Sequence, residues 1–84
     1  MPYFTYVLRC RDGTFYTGWT DDVEKRLAAH NKGVGGRYTR GRLPAELAHK
    51  EEFASKSEAM RRERAIKKMT RAAKLQLING VHLT

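Results

Sequence analysis

The sequence is poor in cysteine, in acidic residues and in long apolar runs, and each shortage excludes a class of protein. Cys10 is the only cysteine among 84 residues, so neither an internal disulfide nor a cysteine-rich zinc site can form. No apolar run approaches the roughly 18 residues of a membrane-spanning helix, and Arg9 interrupts the apolar N-terminal segment. We therefore expect no signal peptide, no membrane anchor and a cytoplasmic location, with Cys10 as a small core residue.

The shortage of acidic residues leaves a large positive charge. Nine Asp and Glu stand against 17 Lys and Arg, which gives a formal net charge of +8. Such a chain repels itself unless a polyanion is its usual partner, and nucleic acid is the leading candidate. A chain of this length is expected to form one domain over residues 1–84, with one core and room for one site.

Two segments rich in aromatic and β-branched residues predict a β-hairpin. They span residues 3–10 and 15–19 and flank the turn residues Arg11-Asp12-Gly13. A two-residue turn would send the side chains of Tyr6 and Tyr16 to opposite faces of the sheet.

A three-residue loop over 11–13 gives the other register. Closed by Gly13 with a positive φ, it places Tyr6 opposite Gly18 and both tyrosines on one face as diagonal neighbours. The glycine at the third loop position favours this arrangement. The plainer alternative is that Tyr6 and Tyr16 are half-buried aromatics that only steady the hairpin.

Capping patterns at Asp21, Ser55 and Thr70 predict three helices. Their expected spans are 22–32, from Ser55 to about Met69, and from Thr70 to Asn79-Gly80. A third strand is expected over 45–53, and the irregular segment 33–44 is expected to be a loop. The order ββαβαα predicts an α/β domain with a three-stranded, mainly antiparallel sheet flanked by helices.

Glu63 occupies an unusual position in the second of these helices. The expected buried stripe runs through Ala59, Met60, Ile66 and Met69, and Glu63 lies in its middle by i+3 and i+4 spacing. An unpaired buried carboxylate is costly, so it must meet a cation, a metal ion or an edge of the domain. A salt bridge to an arginine, such as Arg26 or Arg37, and a metal site both remain open at this point.

The predicted loop over 33–44 is rich in glycine and arginine. Tyr38 is surrounded by the basic residues Lys32, Arg37, Arg40 and Arg42. Such a mixture can hold a nucleic-acid backbone through its cations and stack an exposed base on its aromatic ring. The alternative is a charged loop that is simply solvated.

From about Phe4 to about Lys74 the chain resembles the GIY-YIG nuclease domain. The first motif of that family falls on Phe4-Thr5-Tyr6, where only the tyrosine fits, and the second on Tyr16-Thr17-Gly18, where tyrosine and glycine fit. Among the branches of the family, the short stand-alone YhbQ-like proteins are the most similar.

The spacing of further residues follows the same family. Arg26 follows Tyr16 by ten residues, as Tyr16 follows Tyr6, and His30 lies one helical turn beyond Arg26. The stretch "AMRRERAIKK" puts Glu63 where the family has its metal-binding glutamate.

The resemblance implies a divalent-metal-dependent endonuclease that hydrolyses phosphodiester bonds in DNA, structure-specific and linked to DNA repair. The implied roles are general base for Tyr16, support of the water or metal for Tyr6, scissile-phosphate binding for Arg26, tuning of a tyrosine for His30, and Mg²⁺ or Mn²⁺ binding for Glu63. One carboxylate with waters and substrate oxygens is a common way to hold Mg²⁺.

Two other interpretations stay open. The chain can be a non-catalytic nucleic-acid-binding module that keeps the fold and the basic surface. It can also be a subunit whose partner protein supplies the choice of substrate, because 84 residues leave little surface for recognising both structure and sequence.

The net charge predicts salt-sensitive binding to nucleic acid. We expect the affinity to fall with salt concentration with a log-log slope of about 0.9 for each duplex phosphate neutralised. Replacing Arg37, Arg40 and Arg42 together should flatten that slope in a fluorescence-anisotropy titration at several salt concentrations. An unchanged slope would place the loop outside the binding footprint.

Overall fold

The computed structural model describes residues 2–80, so residue 1 and residues 81–84 of the predicted domain lie outside the described part. It contains β1 Tyr3–Arg9, β2 Phe15–Thr20, α1 Val23–Asn31, α2 Arg37–Arg40, β3 Glu46–Phe53, α3 Lys56–Lys67 and α4 Arg71–Ile78. The strand order is β2-β1-β3, and β1 is antiparallel to both neighbours. The predicted α/β fold with a three-stranded sheet is confirmed. Within the described residues, no helix has the length and hydropathy that crossing a bilayer requires.

The sequence suggested an irregular loop over residues 33–44, but this segment is partly helical. It contains the one-turn helix α2, which makes the order ββααβαα. Four residues are too few to leave a helical period in the sequence, so the turn depends on its surroundings. Thr39, inside α2, is fully buried, and the N–H of Arg42 donates to its carbonyl at 2.9 Å.

The hairpin has the three-residue loop that the glycine position predicted. Gly13 has φ of 84° and donates its N–H to the carbonyl of Cys10, while the Cys10 N–H donates to Thr14. Tyr6 pairs with Gly18 across the two strands. The prediction that the two tyrosines share a face is therefore confirmed.

The helix caps show why α1 begins where it does. Asp22, not the predicted Asp21, is the N-cap, because its backbone is extended and its carboxylate accepts the N–H of Lys25. The predicted caps at Ser55 and Thr70 are confirmed, since each side chain accepts a backbone N–H in the first turn of its helix.

The sheet buries residues on both of its faces. On one face Tyr6, Leu8 and Ala45 form a small core, against which three partly buried side chains pack, those of Tyr16, Leu27 and Leu43. Cys10 is buried as expected.

On the other face α3 covers β1 and β2. Ala59 and Ile66 of the predicted stripe are fully buried. The buried Thr5 hydroxyl donates to the carbonyl of Ala59 at 2.7 Å, which fixes the helix against the central strand. Because side chains alternate along a strand, Thr5 and its neighbour Tyr6 point to opposite faces, so the core helix and the tyrosines occupy different sides of the sheet.

A carboxylate joins β3 to α3. The Glu51 carboxylate accepts two bonds from Arg62, at 2.9 and 3.1 Å, and lies 2.7 Å from Nε2 of His49. Burial alone raises the pKa of Glu51, but the bonds from Arg62 and His49 outweigh it and hold the pKa below its ordinary value of 4.5. The folded state therefore favours the ionised carboxylate.

This shift predicts an acid-sensitive contribution to stability. A carboxyl group with a lowered pKa in the fold stabilises the protein above the unfolded value of 4.5 and loses that contribution as the pH falls through the folded value. In denaturant titrations between pH 3 and 7, Glu51→Gln should lower the free energy of unfolding at pH 7 and make it less dependent on pH below 4.5.

The neighbouring Glu52 provides the matched control, because it lies on the same strand and its side chain is exposed. Glu52→Gln should leave the pH dependence close to that of the unaltered protein. Equal effects of the two substitutions would contradict the role given to the Glu51 pairing.

Candidate active site

A buried chain of hydrogen bonds links the sheet to α1 and α2. The Tyr6 hydroxyl lies 3.0 Å from Nε2 of His30, and Nδ1 of His30 lies 2.8 Å from Oγ1 of Thr39. The Thr39 hydroxyl donates to the carbonyl of Gly36 at 3.3 Å. Tyr6 is 1% exposed and the other two side chains are 0% exposed, so three polar groups satisfy one another away from water.

Gly18 makes the position of the Tyr6 hydroxyl possible. It pairs directly with Tyr6, and a Cβ built at Gly18 would lie 2.6 Å from the Tyr6 hydroxyl oxygen. Any side chain at this position would displace the hydroxyl. The tyrosine of the first motif therefore requires the glycine of the second.

A second glycine lets the loop after α1 pack onto His30. A Cβ at Gly35 would come within 2.6 Å of the backbone N and Cα of His30. The Asn31 side chain also holds this region, since it accepts the N–H of Ala45 at 2.7 Å and donates to its carbonyl at 3.0 Å. These contacts fix the end of α1 to the start of β3.

Tyr16 lies beside this chain of hydrogen bonds. Its ring centroid is 5.0 Å from that of His30 and 6.3 Å from that of Tyr6, and its side chain is only partly buried. His30 bonds to Tyr6 and only packs its ring edge against Tyr16. Tyr6 is therefore the tyrosine on which His30 acts most directly.

Burial and charged neighbours shift the pKa values of Tyr6 and His30, the two titratable groups in this chain of hydrogen bonds. Burial raises the pKa of Tyr6 above 10.0; the Arg26 guanidinium opposes that rise, whereas Tyr16 and Glu63 add to it. Burial also lowers the pKa of His30 below 6.5, and the charge of Arg26 acts in the same direction. At neutral pH His30 is therefore an uncharged imidazole next to a protonated phenol. The five residues predicted to be catalytic or metal-binding are therefore close enough to interact electrostatically. They are Tyr6, Tyr16, Arg26, His30 and Glu63.

Glu63 has a cationic partner, but not an arginine. Its carboxylate lies 3.5 Å from Nζ of Lys67, one helical turn away, with 18% of the Glu63 side chain and 52% of the Lys67 side chain exposed. The salt bridge that the sequence left open is present, but its cation is Lys67 on the same helix and not Arg26 or Arg37. Because the lysine is exposed and the two charged groups are 3.5 Å apart, the pair contributes little to stability.

The donor set can be tested against the metal ion that the sequence implied. Among residues 2–80, no three His, Cys, Asp or Glu side chains group in a way that could hold a metal ion. Mg²⁺ and Mn²⁺ do not need such a cage, since Mg²⁺ commonly binds one or two carboxylates and keeps several waters. Glu63, whose side chain is 18% exposed and whose carboxylate pairs at 3.5 Å with an exposed lysine, fits the part of a single protein anchor.

The predicted nucleic-acid-binding residues separate into two groups. Arg42 is used within the fold, because its guanidinium bonds Asp12 at 3.0 Å, donates to the Tyr38 carbonyl at 2.7 Å and lies 4.2 Å from the Tyr38 ring centre. The Tyr38 ring also contacts Tyr16, at 5.9 Å between centroids. The second group consists of the exposed cations Lys32, Arg37 and Arg40.

Sequence reasoning missed Thr39, Gly35 and Asn31. A threonine in a polar loop carries no periodic signal, and its burial becomes visible only when the loop is folded onto His30. The glycines of the loop did carry a signal, but it was interpreted as a phosphate-binding loop. Gly35 instead serves a close approach of two backbone segments.

Comparison with known proteins finds a match over most of the chain. Residues 2–76 match the model of the GIY-YIG catalytic domain. A UPF0213 protein of Halobacterium salinarum is 61% identical over 69 residues, which cover 82% of this chain and 90% of that protein. A UPF0213 protein of Clostridium perfringens is 54% identical over 77 residues, covering 92% and 83% of the two chains.

Two solved structures are similar throughout. The solution NMR structure of a UPF0213 protein from Bacillus halodurans has a TM-score of 0.62 and 44% identity, and covers 96% of this chain and 86% of that one. The solution NMR structure of a protein from E. faecalis has a TM-score of 0.64 and 43% identity, with 100% and 90% coverage.

The close approach at Gly18 predicts the effect of a single methyl group. Gly18→Ala should displace the Tyr6 hydroxyl from His30 and lower the free energy of unfolding by about 1–3 kcal/mol, as overpacking of a buried site does. Gly41→Ala is the matched control, since a Cβ at Gly41 meets nothing within 4 Å. Chemical denaturation of both variants checks this, and equal stabilities would contradict the predicted steric role of Gly18.

Proposed function

The chain belongs to the GIY-YIG catalytic domain family, and we propose on that basis that it is a divalent-metal-dependent endonuclease that hydrolyses phosphodiester bonds in DNA. The observation that carries the proposal is the buried contact between Tyr6 and an uncharged His30. Hydrolysis needs a group that removes a proton from water, and a phenol backed by a neutral imidazole supplies one.

We propose Tyr6 as the proton acceptor in place of Tyr16, for which the family resemblance implied that role. The Tyr6 hydroxyl has an acceptor behind it, Nε2 of His30 at 3.0 Å. The Tyr6 side chain is 1% exposed, so this step requires that substrate binding admits a water to its hydroxyl. That water can pass a proton to the Tyr6 oxygen while the Tyr6 proton moves to His30. The water oxygen then forms the new bond to phosphorus, and the bond to the leaving oxygen breaks. Tyr16, whose ring borders both residues, orients the water.

Arg26 fits the binding of the scissile phosphate. The residue is exposed, and its guanidinium is close enough to Tyr6 and His30 to act on both pKa values. An arginine stays charged at all working pH values and can bind two phosphate oxygens at once. It thereby stabilises the charge that grows on those oxygens in the transition state.

Glu63 is the proposed anchor for Mg²⁺ or Mn²⁺. A bound divalent ion offsets negative charge on the phosphoryl oxygens and on the leaving oxygen. Lys67 is exposed and 3.5 Å from the carboxylate, so it can move away without breaking a buried contact.

Recognition of DNA is the task proposed for the exposed cations Lys32, Arg37 and Arg40, with Tyr38 beside them. Their side chains lie on the loop that covers His30, so bound backbone phosphates would lie near the site. We further propose a structure-specific substrate, a role in DNA repair and a cytoplasmic location. We also propose a partner protein that supplies the choice of substrate, because a chain of this size offers a small interface.

Glu63→Gln tests the proposed metal anchor. The substitution keeps the shape of the side chain and removes its charge, so cleavage should fall at least 100-fold, the scale on which single charge-stabilising groups act, while the free energy of unfolding stays nearly constant. The assay uses labelled duplex, flap, branched and single-stranded DNA and RNA, each with Mg²⁺, Mn²⁺ or chelator.

Lys67→Met is the matched control. It breaks the same ion pair from the other side and leaves the carboxylate in place, so it should still permit cleavage. Loss of cleavage in both variants would assign Glu63 a structural role instead. Salt-sensitive binding by the unaltered protein, without metal-dependent cleavage of any substrate, would favour the non-catalytic binding module.

A further inference from the structure

Thr39 is a fully buried polar residue that no step above uses. Its side chain lies at the far end of the hydrogen-bond chain from Tyr6, with Oγ1 2.8 Å from Nδ1 of His30. A threonine hydroxyl has one hydrogen to donate and lone pairs to accept with. Whichever group receives that hydrogen decides the direction of every bond in the chain.

The Thr39 hydroxyl has a carbonyl within reach that can accept its hydrogen. Oγ1 lies 3.3 Å from the carbonyl oxygen of Gly36, and a carbonyl can only accept. With the hydrogen directed at that carbonyl, Oγ1 accepts from His30 at 2.8 Å, and this direction assigns the imidazole proton to Nδ1. An uncharged imidazole has a single N–H, which leaves Nε2 with a free lone pair directed at the Tyr6 hydroxyl.

The surrounding loop holds Thr39 in this position. The Arg42 N–H donates to the Thr39 carbonyl at 2.9 Å, and its guanidinium donates to the carbonyl of Tyr38 at 2.7 Å. Gly35 allows this segment to lie directly on His30. The backbone of the threonine is thus held against His30, and its hydroxyl lies in a fully buried position.

We infer that Thr39 is a positioning residue that holds His30 in the Nδ1–H tautomer and so keeps Nε2 open to accept the Tyr6 proton. The two tautomers of a free imidazole are close in free energy, so one buried hydrogen bond is enough to select between them. Without the hydroxyl, Nε2–H would donate to the Tyr6 oxygen and the acceptor would be lost. The catalytic consequence rests on the proposed function; the tautomer itself does not.

The test combines a spectrum with a rate, in two variants. Thr39→Val keeps the volume and removes the hydroxyl, whereas Thr39→Ser keeps the hydroxyl. Long-range ¹H–¹⁵N spectra of the folded, ¹⁵N-labelled protein at neutral pH distinguish a protonated from an unprotonated ring nitrogen. His49, which lies on β3 against Glu51, is the internal reference in each spectrum.

In the unaltered protein and in Thr39→Ser, we expect His30 to be protonated at Nδ1 alone. In Thr39→Val the Nε2–H form should appear, and single-turnover cleavage should slow by about 10- to 100-fold, by analogy with the loss of a hydrogen-bond partner of a metal-binding histidine. The substrate concentration for half-maximal rate should stay within about twofold, because Thr39 does not reach the substrate.

Three results would overturn the inference: an Nε2–H tautomer in the unaltered protein, an unchanged His30 spectrum in Thr39→Val, or an equal loss of rate in the valine and serine variants. If Thr39→Val does not fold, the spectra of the unaltered protein and of Thr39→Ser still decide the tautomer. If the unaltered protein does not cleave nucleic acid, the proposed function fails while the spectra continue to test the role of Thr39.

Discussion

The hydrogen bond between Tyr6 and His30 is the interaction on which the rest of the site depends. Both side chains are almost completely buried, so each polar atom must find a partner within the protein or carry the cost of desolvation. Tyr6 satisfies one ring nitrogen of His30 and Thr39 satisfies the other. A central strand, a helix end and a loop are thereby held by one imidazole.

This requirement explains two of the seven glycines. Gly18 leaves room for the Tyr6 hydroxyl, and Gly35 allows the loop to lie against the backbone of His30. The same loop presents Arg37 and Arg40 to solvent while Arg42 braces it from within. Its inner surface supports the site, and its outer surface carries the exposed cations.

The two faces of the sheet carry different kinds of residues. The face covered by α3 contains apolar contacts and the paired Glu51, which contribute to stability. The opposite face contains the tyrosines and His30, in an arrangement that shifts the pKa values of Tyr6 and His30 in opposite directions. Strand alternation keeps the apolar contacts beneath α3 apart from the tyrosines and His30, while Glu63 on α3 still acts on the pKa of Tyr6.

The sequence by itself determined the sheet, most helices and the hairpin register, because alternation, capping residues and Gly13 act over a few residues of the chain. Its resemblance to a known family also made Tyr6, Tyr16, Arg26, His30 and Glu63 the candidate site residues. It could not determine which tyrosine bonds to His30, that Glu63 pairs with Lys67, or that Thr39 is buried beneath the loop. Those facts depend on contacts between distant segments or on side-chain geometry. Only the tertiary structure decides which polar atoms are removed from water together and must therefore bond to one another.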